Sequence, residues 1–338
     1  MNLSPLQEIA QRRIKSYNII GGHIETFITK FQLNHLLSNI IEERETYGNL
    51  VEDDKIIFDK LVKPQAVFFK KKTVIPFKKI LLPNGQDVNE FNSEKKLALV
   101  GLSNCDIWAL FFFLKEFEHT NLLPKRENIL IIGAECKPDR FCFCEKMGTD
   151  KYAPFDIFIQ EEGEDFSIFS GTKMGNELLK KAGINKSKKK PTLNPIREKA
   201  TKFDEKIVEK AINDRSGNEE FWQGISNNCF GCGACSTVCP LCFCTKQEFR
   251  NDLCASGNQC LKWDSCFSKN FSEIQNHSDL RPKNVDRLYN WYHHKFVRAK
   301  YKHDNFLCTG CGRCIEACPA NLNVKNILEA IINKNSST

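Results

Sequence analysis

"CFGCGACSTVCP", Cys229 to Pro240, and "CTGCGRCIEACP", Cys308 to Pro319, share one spacing, C-x2-C-x2-C-x3-C-P, and that repeat decides how the chain is read. Four cysteines in eleven residues are too dense for ordinary core thiols. The whole chain of 338 residues carries seventeen cysteines, well above common usage. Disulfides, zinc and iron–sulfur clusters compete to explain them. The N-terminal stretch "MNLSPLQEIAQRRIKSYNII" has neither the apolar segment nor the cleavage site of an export signal. A cytoplasmic protein with reduced thiols is therefore expected. The longest apolar runs, "IWALFFFL" and "ILIIGA", fall far short of the roughly 20 residues that span a bilayer, so no membrane span is expected. Zinc ribbons set two C-x2-C pairs well apart, which this repeat does not do.

The repeat has the bacterial ferredoxin spacing for [4Fe–4S] clusters. Three cysteines at two-residue intervals wrap a tight loop around one cubane. Gly231, Gly233, Gly310 and Gly312 let the backbone approach it closely. Pro240 and Pro319 end each loop, and the fourth cysteine is expected to start a helix. In two-cluster ferredoxins that fourth ligand crosses to the other cluster. One expected ligand set is Cys229, Cys232, Cys235 and Cys318. The other is Cys308, Cys311, Cys314 and Cys239.

Upstream, "LALVGL" from Leu97 and "NILIIG" from Asn128 are continuous apolar runs and predict buried strands. "IWALFFFLKEF" between them predicts a helix that Asp106 would cap. "FDIFIQEE" and "DFSIFSG" predict strands in a hairpin across Gly163, and "NELLKKAG" a short helix closed by glycine. Strand, helix, strand in this order implies an α/β sheet. If the first two strands are parallel, Cys105 and Cys136, each three residues past its strand, leave the same sheet edge, where open α/β sheets place ligands. Cys142 and Cys144 of "FCFCEK" follow closely. These four are the only cysteines before Cys229, and a third [4Fe–4S] cluster is expected from them.

The fold class expected is mixed, α/β and α+β. An N-terminal α/β domain spans residues 1–203, with a linker at about 183–203. A mainly helical, two-cluster ferredoxin-like domain with a long insert spans 204–338. Within the second, "DEKIVEKAINDRSGNEEFWQGI" predicts helices broken at Ser216–Gly217, and "NVKNILEAIINK" a closing helix. The insert repeats the Cys-aromatic-Cys element in "LCFCTK", and Cys242, Cys244 and Cys266 are either a further metal site or thiols packed beside the clusters. Cys254 and Cys260 read as incidental, and Trp263 and Trp291 as packing. His293 and His294 ligate or tune a cluster, or simply hydrogen-bond at the surface or in the core. Net charge is +7, much of it near "NKSKKK", Asn185 to Lys190. That run reads as a solvated linker rather than a nucleic-acid patch, since no aromatics interleave it.

"CFGCGACSTVCPLCFC", "KWDSCF", "HHKF" and "CTGCGRCIEACP" together resemble the beta subunit of soluble sulfhydrogenases, which are nickel–iron hydrogenases, and are similar to the iron–sulfur subunit of anaerobic sulfite reductase that belongs to the same family. "VGLSNCDIWAL" and the "CFCEKMGTD" loop extend the likeness upstream, from about Leu97 to Ile332. The resemblance implies an iron–sulfur electron-transfer subunit with two [4Fe–4S] clusters or three. It would relay electrons between a flavoprotein subunit binding FAD and NAD(P)H and a hydrogenase or sulfite reductase catalytic subunit. No dinucleotide fingerprint or P-loop occurs in the chain itself. Two other classes compete: an iron–sulfur enzyme whose extra cluster reduces a small substrate or a disulfide, and a zinc-stabilised structural or nucleic-acid module.

Overall fold

The computed structural model describes residues 24–193, 201–250, 258–274 and 278–336. The helix expected up to about Ser16, part of the linker and Cys254 lie outside them. The chain divides into two compact units. The first takes residues up to Leu82, Phe91–Asp139 and Thr149–Lys199. The second takes Pro83–Glu90, Arg140–Gly148 and the remainder from Ala200.

The first unit is an α/β sheet. Its strands are β1 (Glu25–Ile28), β2 (Glu45–Glu52), β3 (Lys55–Lys60), β4 (Leu97–Leu102), β5 (Ile129–Ala134), β6 (Ile157–Glu162) and β7 (Asp165–Ser170). Among the described residues they form one seven-stranded sheet in the order β1-β7-β6-β5-β4-β2-β3. The four central strands β2, β4, β5 and β6 run parallel, and both edges are antiparallel. Every residue of β4 and β5 is buried. That is why both read as unbroken apolar runs, since a central parallel strand is covered on both faces. Helix α1 (Lys30–Glu43) starts in a capping box made by Thr29 and Gln32. Its Leu33, Leu36, Leu37 and Ile40 are buried, and they join the core with Ala98, Val100, Leu130 and Ile132 of β4 and β5.

Helix α2 (Asn104–Glu116) follows β4 directly. Its N-cap by backbone is Ser103, not Asp106. Asp106 sits in the first turn, where its carboxylate accepts from the Ser103 hydroxyl at 2.8 Å and faces the positive end of the helix. β6 and β7 form a hairpin, with Gly163 at φ +68°. Helix α3 (Lys173–Lys181) is followed by Gly183 at φ +72°. In the basic run, Lys190 pairs with Glu25 and Lys189 lies over the Phe27 ring.

The second unit is mainly helical. Helix α4 (Glu205–Asn213) is capped by the Asp204 carboxylate, and α5 (Glu219–Asn228) ends where the first cysteine loop begins. Short helices α6 (Ala234–Thr237) and α8 (Arg313–Glu316) lie inside the two loops. Between them, α7 (Asn284–His293) continues into one turn of π-helix, His294–Arg298. Helix α9 (Val324–Ser336) closes the chain as described. In the insert, β8 (Thr245–Arg250) and β9 (Asn258–Trp263) form an antiparallel pair, to which the two-residue strand Gln86–Asp87 adds. The core gathers Val208, Trp222, Phe267, Leu288, Trp291, Tyr292, Phe296 and Leu328, together with Phe143 and Met147 of the "FCFCEKM" segment. Among the described residues, no helix is long and apolar enough to cross a membrane.

Candidate metal centres

Each cysteine loop repeats one backbone path. Gly231 and Gly233 have φ of +64° and +73°, and Gly310 and Gly312 have +65° and +75°. All four are left-handed, a conformation that a Cβ penalises. The turns aim backbone N–H groups at sulfur. Gly231 N donates to Cys229 Sγ at 3.4 Å, and Gly310 N to Cys308 Sγ at 3.5 Å. Past the fourth cysteine, Leu241 N donates to Cys239 Sγ and Leu322 N to Cys318 Sγ, both at 3.4 Å. Such donors favour sulfur that carries negative charge. The helix expected to start at the fourth cysteine instead carries the third, Cys235 or Cys314, and ends before the fourth. The proline that follows disfavours helical backbone at the residue before it.

One cavity lies against the first loop. It is lined by Cys229, Cys232 and Cys235 and, from the second loop, by Cys314 and Cys318. Phe267, Leu288, Trp291, Tyr292 and Val324 supply its apolar wall, and among the described residues no charged side chain lines it. Trp291 Nε1 is buried with no hydrogen-bond partner among the described residues. A donor left so is costly unless something accepts from it. Cys232 is exposed at this centre.

The second centre gathers the thiols of Cys308, Cys311 and Cys314 with that of Cys239 from the first loop. Their mutual repulsion as anions is felt at both Cys308 and Cys314. Burial pushes Cys308 up to about 12 and Cys314 well above the ordinary thiol range. Burial also pushes Cys235 up to about 12. Cys239 is raised first by its hydrogen bond with Cys242, then by burial. A metal that binds these thiols as thiolates must displace their protons.

Lys295, from the π-helical turn, reaches into this second centre. Its side chain is buried, 3% exposed. Nζ donates to Cys239 Sγ at 3.3 Å and to Leu307 O at 3.2 Å, and it sits 5.1 Å from the centroid of the Trp291 ring. Leu307 N donates back to Lys295 O at 2.8 Å, which ties the turn to the residue before Cys308. Nothing in the sequence marks this lysine beyond the run "HHKF", because lysines are ordinarily exposed.

The first Cys-aromatic-Cys element packs on the second loop. Phe143 N donates to Gly310 O at 2.8 Å, and Cys142 Sγ lies 3.6 Å from Cys311 O. A Cβ on Gly310 would come within 2.5 Å of Phe143 O, and one on Gly312 would collide with Phe141 O. Cys142 and Cys144 belong to the second unit, whereas Cys105 and Cys136 belong to the first. There, Cys105 Sγ lies 3.2 Å from Ser103 Oγ in the first turn of α2, and Cys136 bridges to Lys70 beyond β5. In the second Cys-aromatic-Cys element, Cys242 meets Cys239, and Cys244 lies near enough to Cys266 to raise it. Cys266 is pushed up to about 11, chiefly by burial. Ser265, beside it, donates to Ser236 Oγ on the first loop at 3.0 Å. Cys260 is buried on β9. His293 faces Asn213 at 3.2 Å. His294 is lowered to about 4, by burial first and then by Lys295 and Arg298.

Two groups of four thiols, backbone N–H donors on sulfur, a buried ammonium and an indole N–H without an acceptor among the described residues suit a sulfur-rich, anionic cluster. The class agrees with comparison: residues 228–322 match the family of 4Fe-4S dicluster domains. The chain is also similar to the Sulfhydrogenase 2 subunit beta of Pyrococcus furiosus, 26% identical over 302 residues, which cover 84% of this chain and 87% of that protein. Both findings fit the family that the motifs resemble and support an iron–sulfur protein.

Proposed function

We propose that the chain is the iron–sulfur relay of a multisubunit oxidoreductase and holds two [4Fe–4S] clusters. The first would be ligated by Cys229, Cys232, Cys235 and Cys318, and the second by Cys308, Cys311, Cys314 and Cys239. The observation that supports this is the cavity that Cys229, Cys232 and Cys235 share with Cys314 and Cys318 of the other loop; in two-cluster ferredoxins it is the fourth cysteine that crosses. At one end a flavoprotein subunit binding FAD and NAD(P)H would exchange electrons. At the other end the partner would be a hydrogenase or sulfite reductase subunit. Cys232, exposed at the first centre, gives that cluster the shorter path to a docked partner. The domains proposed are an N-terminal α/β domain, residues 1–203, and a two-cluster domain, residues 204–338.

Iron and acid-labile sulfide on anaerobically purified protein, with EPR of the reduced state, test the proposal. About eight irons per chain are expected, with no turnover of hydrogen or sulfite by the isolated chain. A colourless protein, or substantial turnover alone, would overturn it. About twelve irons would instead call for a third cluster, for which Cys105, Cys136, Cys142 and Cys144 are the candidate ligands.

A further inference from the structure

Lys295 raises a question of charge that the relay alone does not answer. A buried ammonium costs several kcal/mol unless an anion faces it. Among the described residues no carboxylate pairs with Lys295; its neighbours are Cys239 Sγ, a carbonyl and an indole face. A cubane held by four thiolates can compensate the charge, since it is anionic in both redox states and gains one further negative charge on reduction. The charge of Lys295 is also felt at Cys235 of the first centre, but its hydrogen bond to sulfur goes to Cys239, and among the described residues no charged side chain lines the first cavity.

We propose that Lys295 is the built-in countercharge of the cluster on Cys239, Cys308, Cys311 and Cys314, and that it makes this cluster the more oxidising of the two. The inference rests on the two-cluster reading above. One electron enters a cluster and one leaves it, and no bond is made or broken. The fixed positive charge stabilises the reduced form more than the oxidised form, so the equilibrium constant for reduction rises. The other cluster, equally anionic, receives no such hydrogen bond from an ammonium among the described residues and sits lower. The two clusters therefore form a step that draws electrons toward the Lys295 side. Lys295 is a positioning residue for this charge, not a ligand.

The test is a potentiometric EPR titration of the full chain, purified anaerobically, as wild type, Lys295→Met, Lys295→Gln and Lys295→Arg. Wild type should contain about eight irons and two reduction waves; a chain without iron refutes the two-cluster reading and the proposal with it, whereas the adverse outcomes that follow refute the proposal alone. In Lys295→Met the upper wave should fall by at least tenfold in equilibrium constant, about 59 mV for one electron. The lower wave should move much less, and Lys295→Arg should stay near wild type. If iron is retained and the upper wave does not move, or both waves move equally, the proposal fails. If Met and Gln variants each lose about four irons while Arg keeps them, the charge is what holds the anionic cluster, which supports the proposal. If all three variants lose the same cluster, Lys295 is needed for its shape and the countercharge role is overturned.

Discussion

Single residues decide how closely the chain can approach its clusters. Gly312 combines a φ of +75° with a Cβ position occupied by Phe141 O, and neither atom can give way without moving the second loop. Gly163 has a similar φ, +68°, but open space around it. Gly312→Ala is therefore expected to lose about four irons per chain, whereas Gly163→Ala costs about 1 kcal/mol of left-handed strain and keeps its iron. Iron analysis and thermal midpoints of both variants decide it; equal iron content in the two would show that the close packing is not needed for cluster assembly. His294 sets a pH dependence. Burial and the adjacent cations lower its pKa to about 4, so the unfolded chain binds a proton that the folded chain refuses between about pH 6.5 and 4. Stability rises with pH across that window and is lost on acidification, by on the order of 2–3 kcal/mol when fully expressed. His294→Gln should flatten this loss between about pH 7 and pH 5. Thermal bleaching of the cluster absorbance at both pH values measures it, and an unchanged acid sensitivity in the variant would assign the loss elsewhere.

At the level of elements, the two cysteine loops are legible because their chemistry is local. Spacing, glycines and the closing proline lie within twelve residues of each other, so the sequence dictates two loops with left-handed turns. What spacing does not state is where the helix falls. The sequence offers the fourth cysteine as its start, but Pro240 and Pro319 restrict that residue, and the third cysteine lies in α6 or α8 instead. The cap of α2 is ambiguous in sequence for a related reason. Ser103 and Asp106 stand three residues apart, either can cap, and only the backbone of Ser103 leaves the helix. The crossed ligation makes an expectation that spacing within either loop alone cannot. Removing Cys229 or Cys318 should cost the same cluster, so Cys229→Ser/Cys318→Ser should lose about four irons, no more than either single variant. Cys229→Ser/Cys239→Ser should lose about eight, although its two cysteines share one loop. If instead the pair within one loop behaves as a unit and the pair across loops adds, each loop binds its own cluster and the crossing is wrong.

For the molecule as a whole, the α/β half is legible where burial is complete. β4 and β5 are covered on both faces and show as apolar runs. β2 and β3, nearer the edge, mix exposed and buried positions in "ETYGNLVE" and "KIIFDK" and give no such signal. Membership of the two units is harder to read. Residues 83–90 and 140–148 count with the second unit, because a two-residue strand pairs with β9, and because Phe143 and Met147 enter the helical core. Both are long-range packing effects with no periodicity of their own. The two units also differ in what holds them. The first has an extended sheet with a continuous core. The second has its own helical core, but its cysteine loops hold only the four-residue helices α6 and α8, too short to persist unaided. Ligand bonds to iron are then part of its folding free energy. Chelation of the iron from the intact chain should leave slow amide exchange in 97–102 and 129–134, while 229–240 and 308–319 become fast. Hydrogen exchange followed by mass spectrometry resolves these segments. Protection lost everywhere would mean that the sheet, too, depends on the clusters; protection kept in both loops would mean that the protein fold alone forms the cysteine cradles, and iron enters sites already made.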